Sequence, residues 1–245
     1  MLAIRSPRLR QLQNRSASRY LSIISDDHLN AIEQDSVISA IRSGTGASSS
    51  ALEPVTTYGL RRYGLFQHST GTTATGRAGV GISAPAFVCG QGQWIETEAE
   101  IYIPDLSDGT HTFTVLHGLT DDPSTITPAN GILIRYSSAL SSGQWEVWSQ
   151  AAGGGAVSAA SGWTVREDTW YRLRIWVQSD GRAIRAWVND VEIAVPTTST
   201  EYPKVTTQGV GFYCGINKTL SNTARTLIAD WLWVAMGDSQ EIPSQ

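Results

Sequence analysis

The sequence predicts an all-β sandwich or barrel, and three observations carry that prediction. Short strand-like runs recur from Tyr58 to Met236, separated by clusters of Gly, Ser and Asp. The 245-residue chain holds 23 glycines and only 16% charged residues, a composition suited to strands and turns. No helix-length apolar pattern interrupts the runs, which argues against βαβ units and a parallel sheet.

Residues 1–24 show no clean period, and Pro7 argues against a helix through it. They are predicted to form an extended or partly helical arm. Ser25-Asp26-Asp27 then reads as a helix start, with a capping side chain and acids in the first turn. Leu29, Ile32, Val37, Ile38 and Ile41 supply an apolar stripe that Arg42 and Gly44 end. A helix this short must pack on the body or on another subunit. Residues 43–56 are a linker by composition. The strands predicted beyond it are 59–67, 76–83, 93–103, 110–117, 131–137, 144–150, 155–158, 169–178, 182–188, 191–195, 207–216 and 225–236. The chain is thus divided into residues 1–50 (basic arm, helix and linker) and residues 51–245 (β-sandwich).

The clearest strands lie between Trp170 and Ala194. Tyr171, Leu173, Ile175 and Val177 alternate with Trp170, Arg172, Arg174 and Trp176. A period of two puts the first set on one face and the second on the other. Ser179-Asp180-Gly181 makes a turn, with Gly supplying positive φ. Ile184, Ala186 and Val188 then alternate with Arg185 and Trp187 before the Asn189-Asp190 turn. One face is aliphatic and the other carries Trp and Arg.

The net charge of −4 hides an asymmetry. Residues 1–50 hold six Arg against four acids, a net +2, and the remainder holds 12 basic and 18 acidic residues, a net −6. Arg5, Arg8, Arg10, Arg15 and Arg19 precede the first acid, Asp26. Such an arm suits an acidic protein surface, including the body of a neighbouring copy. It lacks the interleaved aromatics of a nucleic-acid binder, so nucleic acid is not an expected partner. Cys89 and Cys214 are too few for a disulfide framework, and their apolar contexts favour buried free thiols. No run approaches the roughly 20 apolar residues of a membrane span. The first 25 residues lack the apolar core of a secretory signal, although their Arg and Ser content is that of a transit peptide. His28, His68, His111 and His117 share no metal-ligand spacing. Asp105, Asp108, Asp121 and Asp122 offer oxygen ligands of the kind calcium takes, but turn chemistry explains them more simply. No cofactor or metal is expected.

Trp170-Tyr-Arg-Leu-Arg-Ile, with Gly181 and Trp187-Val-Asn-Asp190, resembles the central hairpin of concanavalin A-like jelly rolls, laminin-G-type domains among them. Gly209-Val-Gly211, Ile216-Asn-Lys-Thr219 and Ala224-Arg-Thr-Leu-Ile-Ala-Asp230 resemble the closing segment of such domains in tailed-bacteriophage structural proteins. Ile103-Pro-Asp-Leu-Ser107, Leu116-His-Gly-Leu119 and Asn130-Gly-Ile132 are similar to the same group. The likeness covers about residues 60–236 and departs at Asn189-Asp190, where Asn-Gly is common. It implies a concanavalin A-like jelly-roll sandwich and a virion protein: a capsid decoration (cement) protein, a head fibre or a tail fibre.

Two sets of residues offer a site. Glu96, Glu98 and Glu100 share one strand face, which resembles the acidic strand of glycosidases on this fold. Retaining chemistry needs an acid and a nucleophile about 5–5.5 Å apart. Glu96 and Glu100 would fill those roles with Glu98 between them, although the middle residue of such strands is normally Asp and an alternating acidic strand is also an ordinary solvated face. The second set is Arg172, Arg174, Trp176, Arg185 and Trp187, a face suited to a protein interface or a glycan. Trp231 and Trp233 sit in a run that is apolar on both faces, Ile228–Met236, and read as core. The expectation drawn from these features is a non-catalytic virion protein on the outer capsid surface. It binds the major capsid protein through Arg5, Arg8, Arg10, Arg15 and Arg19 and through Leu29, Ile32, Ile38 and Ile41. It assembles with copies of itself, a trimer suiting capsid geometry. A glycan-binding fibre module and a glycoside hydrolase stand as the alternatives.

Overall fold

The computed structural model describes residues 22–26, 38–52, 65–204 and 207–237. Two antiparallel sheets form a concanavalin A-like jelly-roll sandwich. The strands in chain order are β1 (Ser22–Asp26), β2 (Ser39–Ser43), β3 (Ser48–Ala51), β4 (Phe66–Ser69), β5 (Arg77–Phe87), β6 (Trp94–Ile103), β7 (Phe113–Thr120) and β8 (Gly131–Tyr136). They continue with β9 (Gln144–Gln150), β10 (Val157–Thr164), β11 (Thr169–Val177), β12 (Ile184–Val188), β13 (Val191–Ile193), β14 (Val210–Lys218) and β15 (Thr226–Gly237). The first sheet runs β13-β12-β11-β6-β15-β4-β3, with β1 also on β15, and the second runs β10-β9-β8-β7-β14-β5-β2.

The alternating pattern of the sequence sets which residues meet between the sheets. Ile95, Ala99 and Ile101 of β6, Leu173 and Ile175 of β11, and Ala186 and Val188 of β12 all point into the main core. Val115, Ile132, Ile134, Val147 and Phe212 meet them from the second sheet. Each fully buried side chain of this size contributes about 1.5–3 kcal/mol. The turns fold as their residues dictate. Gly181 has φ 66°, and Asn189 and Asp190 both have positive φ (51° and 65°), which Asn and Asp tolerate in a two-residue hairpin.

The N-terminal region departs from the sequence expectation. The helix predicted from Ser25 to Arg42 begins and ends in strand: Ser25 and Asp26 close β1, and Ser39–Ser43 is β2. Residues 27–37, with Leu29 and Ile32, lie outside the described residues, as do Arg5, Arg8, Arg10, Arg15 and Arg19. The reason is pairing. β1 lies antiparallel on β15, Ser22 opposite Met236 and Asp26 opposite Leu232, and β2 lies on β5. A ladder on an existing sheet outweighs the weak propensity of a short isolated helix. The predicted linker likewise contains β3, which pairs with β4. Ile38 is buried in the main core, and Ile41 packs on the outside of the second sheet. Both side chains therefore serve the chain's own sandwich.

Candidate functional site

The outer face of the first sheet gathers the residues that the sequence singled out. On β6, Trp94, Glu96, Glu98, Glu100 and Tyr102 alternate with core residues and point away from the second sheet. Register sets their neighbours. Trp176, Arg174 and Arg172 of β11 lie opposite Glu96, Glu98 and Glu100. Ala235, Trp233 and Trp231 of β15 lie opposite the same three from the other side. On β12, Arg185 is opposite Trp176 and Trp187 is opposite Arg174, and Glu192 of β13 follows Trp187. Acid, base and aromatic side chains thus alternate across five strands.

The side chains interlock along the diagonals. Arg172 Nε donates to Glu98 Oε1, and its Nη1 donates to Asp190 Oδ2 at 3.2 Å. Its guanidinium sits 5.4 Å from the Trp231 ring centroid. Arg174 stacks 3.9 Å over Trp187, and its Nη1 is 3.7 Å from Glu96 Oε1. Arg185 also approaches Trp187, at 5.0 Å, and grips Glu192 with two parallel bonds, one of 2.8 Å. That grip holds the Glu192 carboxyl below the usual carboxylate range and raises the Arg185 guanidinium. Trp231 Nε1 donates to Glu100 Oε2 at 2.9 Å.

This layer is packed rather than open. Trp94, Trp176, Trp187 and Trp233 form a buried cluster of their own, with Trp231 against it. Trp176 and Trp187 are each 3% exposed, and the Glu98 side chain 2%. Glu96 and Glu98 both face guanidiniums, and Glu100 accepts from Trp231, so of the predicted pair Glu96 and Glu100, Glu96 and the intervening Glu98 lie in an ion-pair lattice and Glu100 is held by an indole. The indole N–H groups of Trp176, Trp187 and Trp233 are buried with no acceptor among the described residues, and a buried N–H left unpaired is costly.

The structure brings Arg172, Arg174, Trp176, Arg185 and Trp187 onto one face and sets Glu96, Glu98 and Glu100, which the sequence offered as a separate set, among them. The sequence read Trp231 and Trp233 as core: Trp233 is buried and Trp231 partly so, but both lie in the outer cluster and not between the sheets. A bulge between Ala229 and Trp231 shifts the alternation, so Leu227 and Ala229 point inward before it and Leu232 and Val234 after it. Two buried polar features were missed. His117 on β7 shares a 3.3 Å hydrogen bond with Thr97 on β6 across the core, and burial pushes its pKa down to about 3. Arg135 and Glu146 form a buried pair on the outside of the second sheet. A signal for that pair existed, since each is the lone charge in an apolar strand, GILIRY and QWEVWSQ.

The turn aspartates serve turns. Asp108 Oδ1 accepts from the backbone N–H groups of Thr110 and His111 at 2.7 and 2.6 Å, and Asp122 Oδ1 accepts from that of Ser124 at 2.7 Å. Among the described residues, no three His, Cys, Asp or Glu come together to hold a metal ion. Cys89 and Cys214 are buried free thiols, each pushed up to about 12 by burial. A cleft of about 460 Å³ lies at the end of β10, lined by Trp163, Arg166, Tyr171 and Asn189 among others.

Comparisons with known proteins agree with this geometry at the level of the fold. The chain is similar to the crystal structure of SO2946, a protein of unknown function from Shewanella oneidensis MR-1, with 16% identity, a TM-score of 0.60 and full coverage of both chains. It is similar to the carbohydrate recognition domain of Emp47p, with 12% identity, a TM-score of 0.55 and coverage of 90% of this chain and 98% of that one. It is also similar to an endo-1,3-beta-glucanase from Streptomyces sioyaensis, with 11% identity, a TM-score of 0.51 and coverage of 72% and 77%. A search of the curated proteins finds no match. Residues 61–230 match the family model described as SO2946-like, C-terminal domain, and the chain belongs to that family.

Proposed function

We propose that this chain is a non-catalytic structural protein of a tailed-phage particle, carried on the outer capsid surface as a decoration protein. Its N-terminal region holds it there, with the major capsid protein and copies of itself, as a trimer, for partners. The observation that carries this reading is how that region joins the sandwich. β1 is laid on β15 in the first sheet, β2 on β5 in the second and β3 on β4 in the first. A pull on residues 1–21 loads the β1·β15 ladder first, with the β2 and β3 ladders behind it in the chain, which suits an anchor. The ion pairing of Glu96 and Glu98 with arginines supports a structural outer face over a catalytic one. The resemblance of residues 60–236 to tailed-phage structural proteins supplies the setting.

Sedimentation with purified tailed particles tests the proposal. The full chain is expected to co-sediment at stoichiometric copy number, and a chain lacking residues 1–21 is expected to keep its β-sheet circular dichroism and remain in the supernatant. Undiminished binding by the shortened chain would sink the anchor, and absence of the full chain from particles would sink the whole reading.

A second reading, glycan binding, is favoured by the unmet indole N–H groups of Trp176, Trp187 and Trp233. Aromatic faces with donors and carboxylates suit a sugar, and carbohydrate-related proteins share the fold. A glycan array with the full chain distinguishes the two. Binding that Trp187→Ala removes supports the glycan reading, and a blank array removes it. Hydrolysis of a bound glycan that stops in Glu100→Gln would make the face catalytic.

A further inference from the structure

We propose that the cleft at the end of β10 is a binding site for an acidic sugar, a pyranose ring that carries a carboxylate. It uses residues outside both the N-terminal region and the tryptophan layer of the first sheet, so it stands or falls apart from the particle reading and from a glycan on that layer.

The cleft forms where the two sheets meet at one edge of the sandwich. β10 is the edge strand of the second sheet, and its last residues, Trp163 and Thr164, supply one wall. Thr169 and Tyr171 of β11 and Asn189 of the β12–β13 turn supply the other from the first sheet, and Arg166 lies in the β10–β11 loop between them. The volume of about 460 Å³ is that of an ordinary ligand cleft. Its walls are fixed by their own hydrogen bonds. The Val165 N–H donates to the Gly143 carbonyl at 3.0 Å, and the Arg166 N–H donates to the Tyr171 hydroxyl at 2.7 Å. Tyr171 is buried, with its ring edge-to-face against Trp145 of the main core. Asn189 exchanges two 2.8 Å bonds with the Arg172 backbone, one through its own N–H and one through Oδ1. A cleft assembled in this way loses little freedom when a ligand enters.

The lining selects the ligand. Trp163 is half-buried, packed against the main core on one side and facing the cleft with the rest. An indole held so takes the C–H face of a pyranose. Thr164 is exposed and Thr169 half-buried, so hydroxyls stand beside it. Asn189 spends Oδ1 on the Arg172 N–H, which leaves Nδ2 to donate. Arg166 is exposed and forms no ion pair with a described residue, and none of the residues lining the cleft is acidic. Its guanidinium therefore meets a ligand carboxylate without giving up an existing partner. A neutral sugar leaves Arg166 unused, and a bare anion leaves Trp163 unused. Nucleic acid needs a track of cations along its backbone, whereas residues 51–245 hold 12 basic against 18 acidic residues. A ring and a carboxylate on one ligand use both residues.

Isothermal titration calorimetry on the full-length protein tests the site. The acidic probes are trisaccharides of galacturonate, glucuronate, guluronate and mannuronate. Galactotriose and mannotriose are the neutral counterparts, and inorganic phosphate is the anion without a ring. At least one acidic trisaccharide is expected to bind about tenfold or more tightly than the neutral sugars and phosphate, the effect of one charge-assisted bond. Arg166→Gln is expected to erase that preference, and because Arg166 is exposed the variant keeps its β-sheet circular dichroism. Trp163→Ala is expected to weaken binding of the same probe about tenfold. Silence with all four acidic probes overturns the proposal, as does equal binding of the neutral sugars or of phosphate. Acidic-sugar binding that Arg166→Gln leaves at the parent's level also overturns it, by placing the ligand elsewhere on the molecule.

Discussion

The two outer faces of the sandwich use the same three residue types and finish them differently. On the second sheet, Leu116, Leu133, Trp148 and Tyr213 form the outer cluster, and Ile126 from the β7–β8 loop packs over it. Among the described residues one ion pair, Arg135 with Glu146, sits in register beside it. Arg135 lies 5.0 Å from the Trp148 ring and donates from Nη1 to the Ile126 carbonyl at 2.6 Å. Asn217 Nδ2 ties Pro123 of the same loop at 3.0 Å. On the first sheet, three arginines share Glu96, Glu98, Asp190 and Glu192, the tryptophans Trp94, Trp176, Trp187 and Trp233 are buried, and the indole N–H groups of Trp176, Trp187 and Trp233 have no acceptor among the described residues. One face is closed by a local loop with one acid for one base. The other is closed by a wide lattice of its own side chains, in which each arginine meets both a carboxylate and an indole. The difference teaches that one sandwich can finish an outer face with a loop or with strand side chains alone.

The largest effect expected on the closed face comes from breaking its one pair. Burial lowers the Arg135 pKa, and Glu146 partly restores it through charge and hydrogen bonding. Removing either partner strands a buried charge. Glu146→Ala is therefore expected to cost about 3–5 kcal/mol in denaturant unfolding. The double change Arg135→Met with Glu146→Leu is expected to recover most of that, since apolar residues fill the same space without desolvation. A Glu146→Ala cost below about 1 kcal/mol would mean that the pair is solvated and that the two faces are alike.

Between the faces, His117 makes the interior sensitive to acid. Burial holds its folded pKa at about 3, below the ordinary histidine value of 6.5. Between those values the unfolded chain binds a proton that the folded chain does not, so stability falls as pH falls below about 6.5. The slope from this one group is about 1.4 kcal/mol per pH unit. His117→Met is expected to flatten that part of the profile, measured as denaturant midpoint against pH. An unchanged slope would place the acid sensitivity in the carboxylate lattice of the first sheet instead.

These features were legible to different degrees, for physical reasons. Period-two alternation exposed β6, β11 and β12 because each has one aliphatic face and one polar face, and the pairing of Glu96–Glu100 with Arg172–Trp176 followed once those strands were neighbours. β15 was found but its two tryptophans were put on the wrong side, because a bulge at Asp230 shifts the register and alternation alone does not reveal a bulge. β1 straddles the predicted arm and the start of the predicted helix, and β2 takes its end, because Ile38 and Ile41 also fit a helical stripe and only long-range ladders decide for strand. Thr97 and His117 are 20 residues apart on different sheets, so no local pattern links them.

The smallest effect separates a lattice from a sum of pairs. Arg185 and Glu192 make the best-formed pair of the first sheet's outer face, yet both are partly exposed, at 29% and 46% of their side chains. Hydrogen bonding from Arg185 lowers the Glu192 pKa below 4.5, so the stabilisation is present above the unfolded value and is lost as pH falls through the folded one. Glu192→Gln is expected to cost under about 1 kcal/mol, and less again in about 1 M salt. Arg185 also stacks toward Trp187, which Arg174 covers more closely, so losing the carboxylate leaves the indole with one cation in place. A cost of several kcal/mol in Glu192→Gln would mean that the rows act as one cooperative unit, as rigid as the closed face. A small cost means that the edge pair adds to the face as an independent surface contact, unlike the buried pair of the closed face.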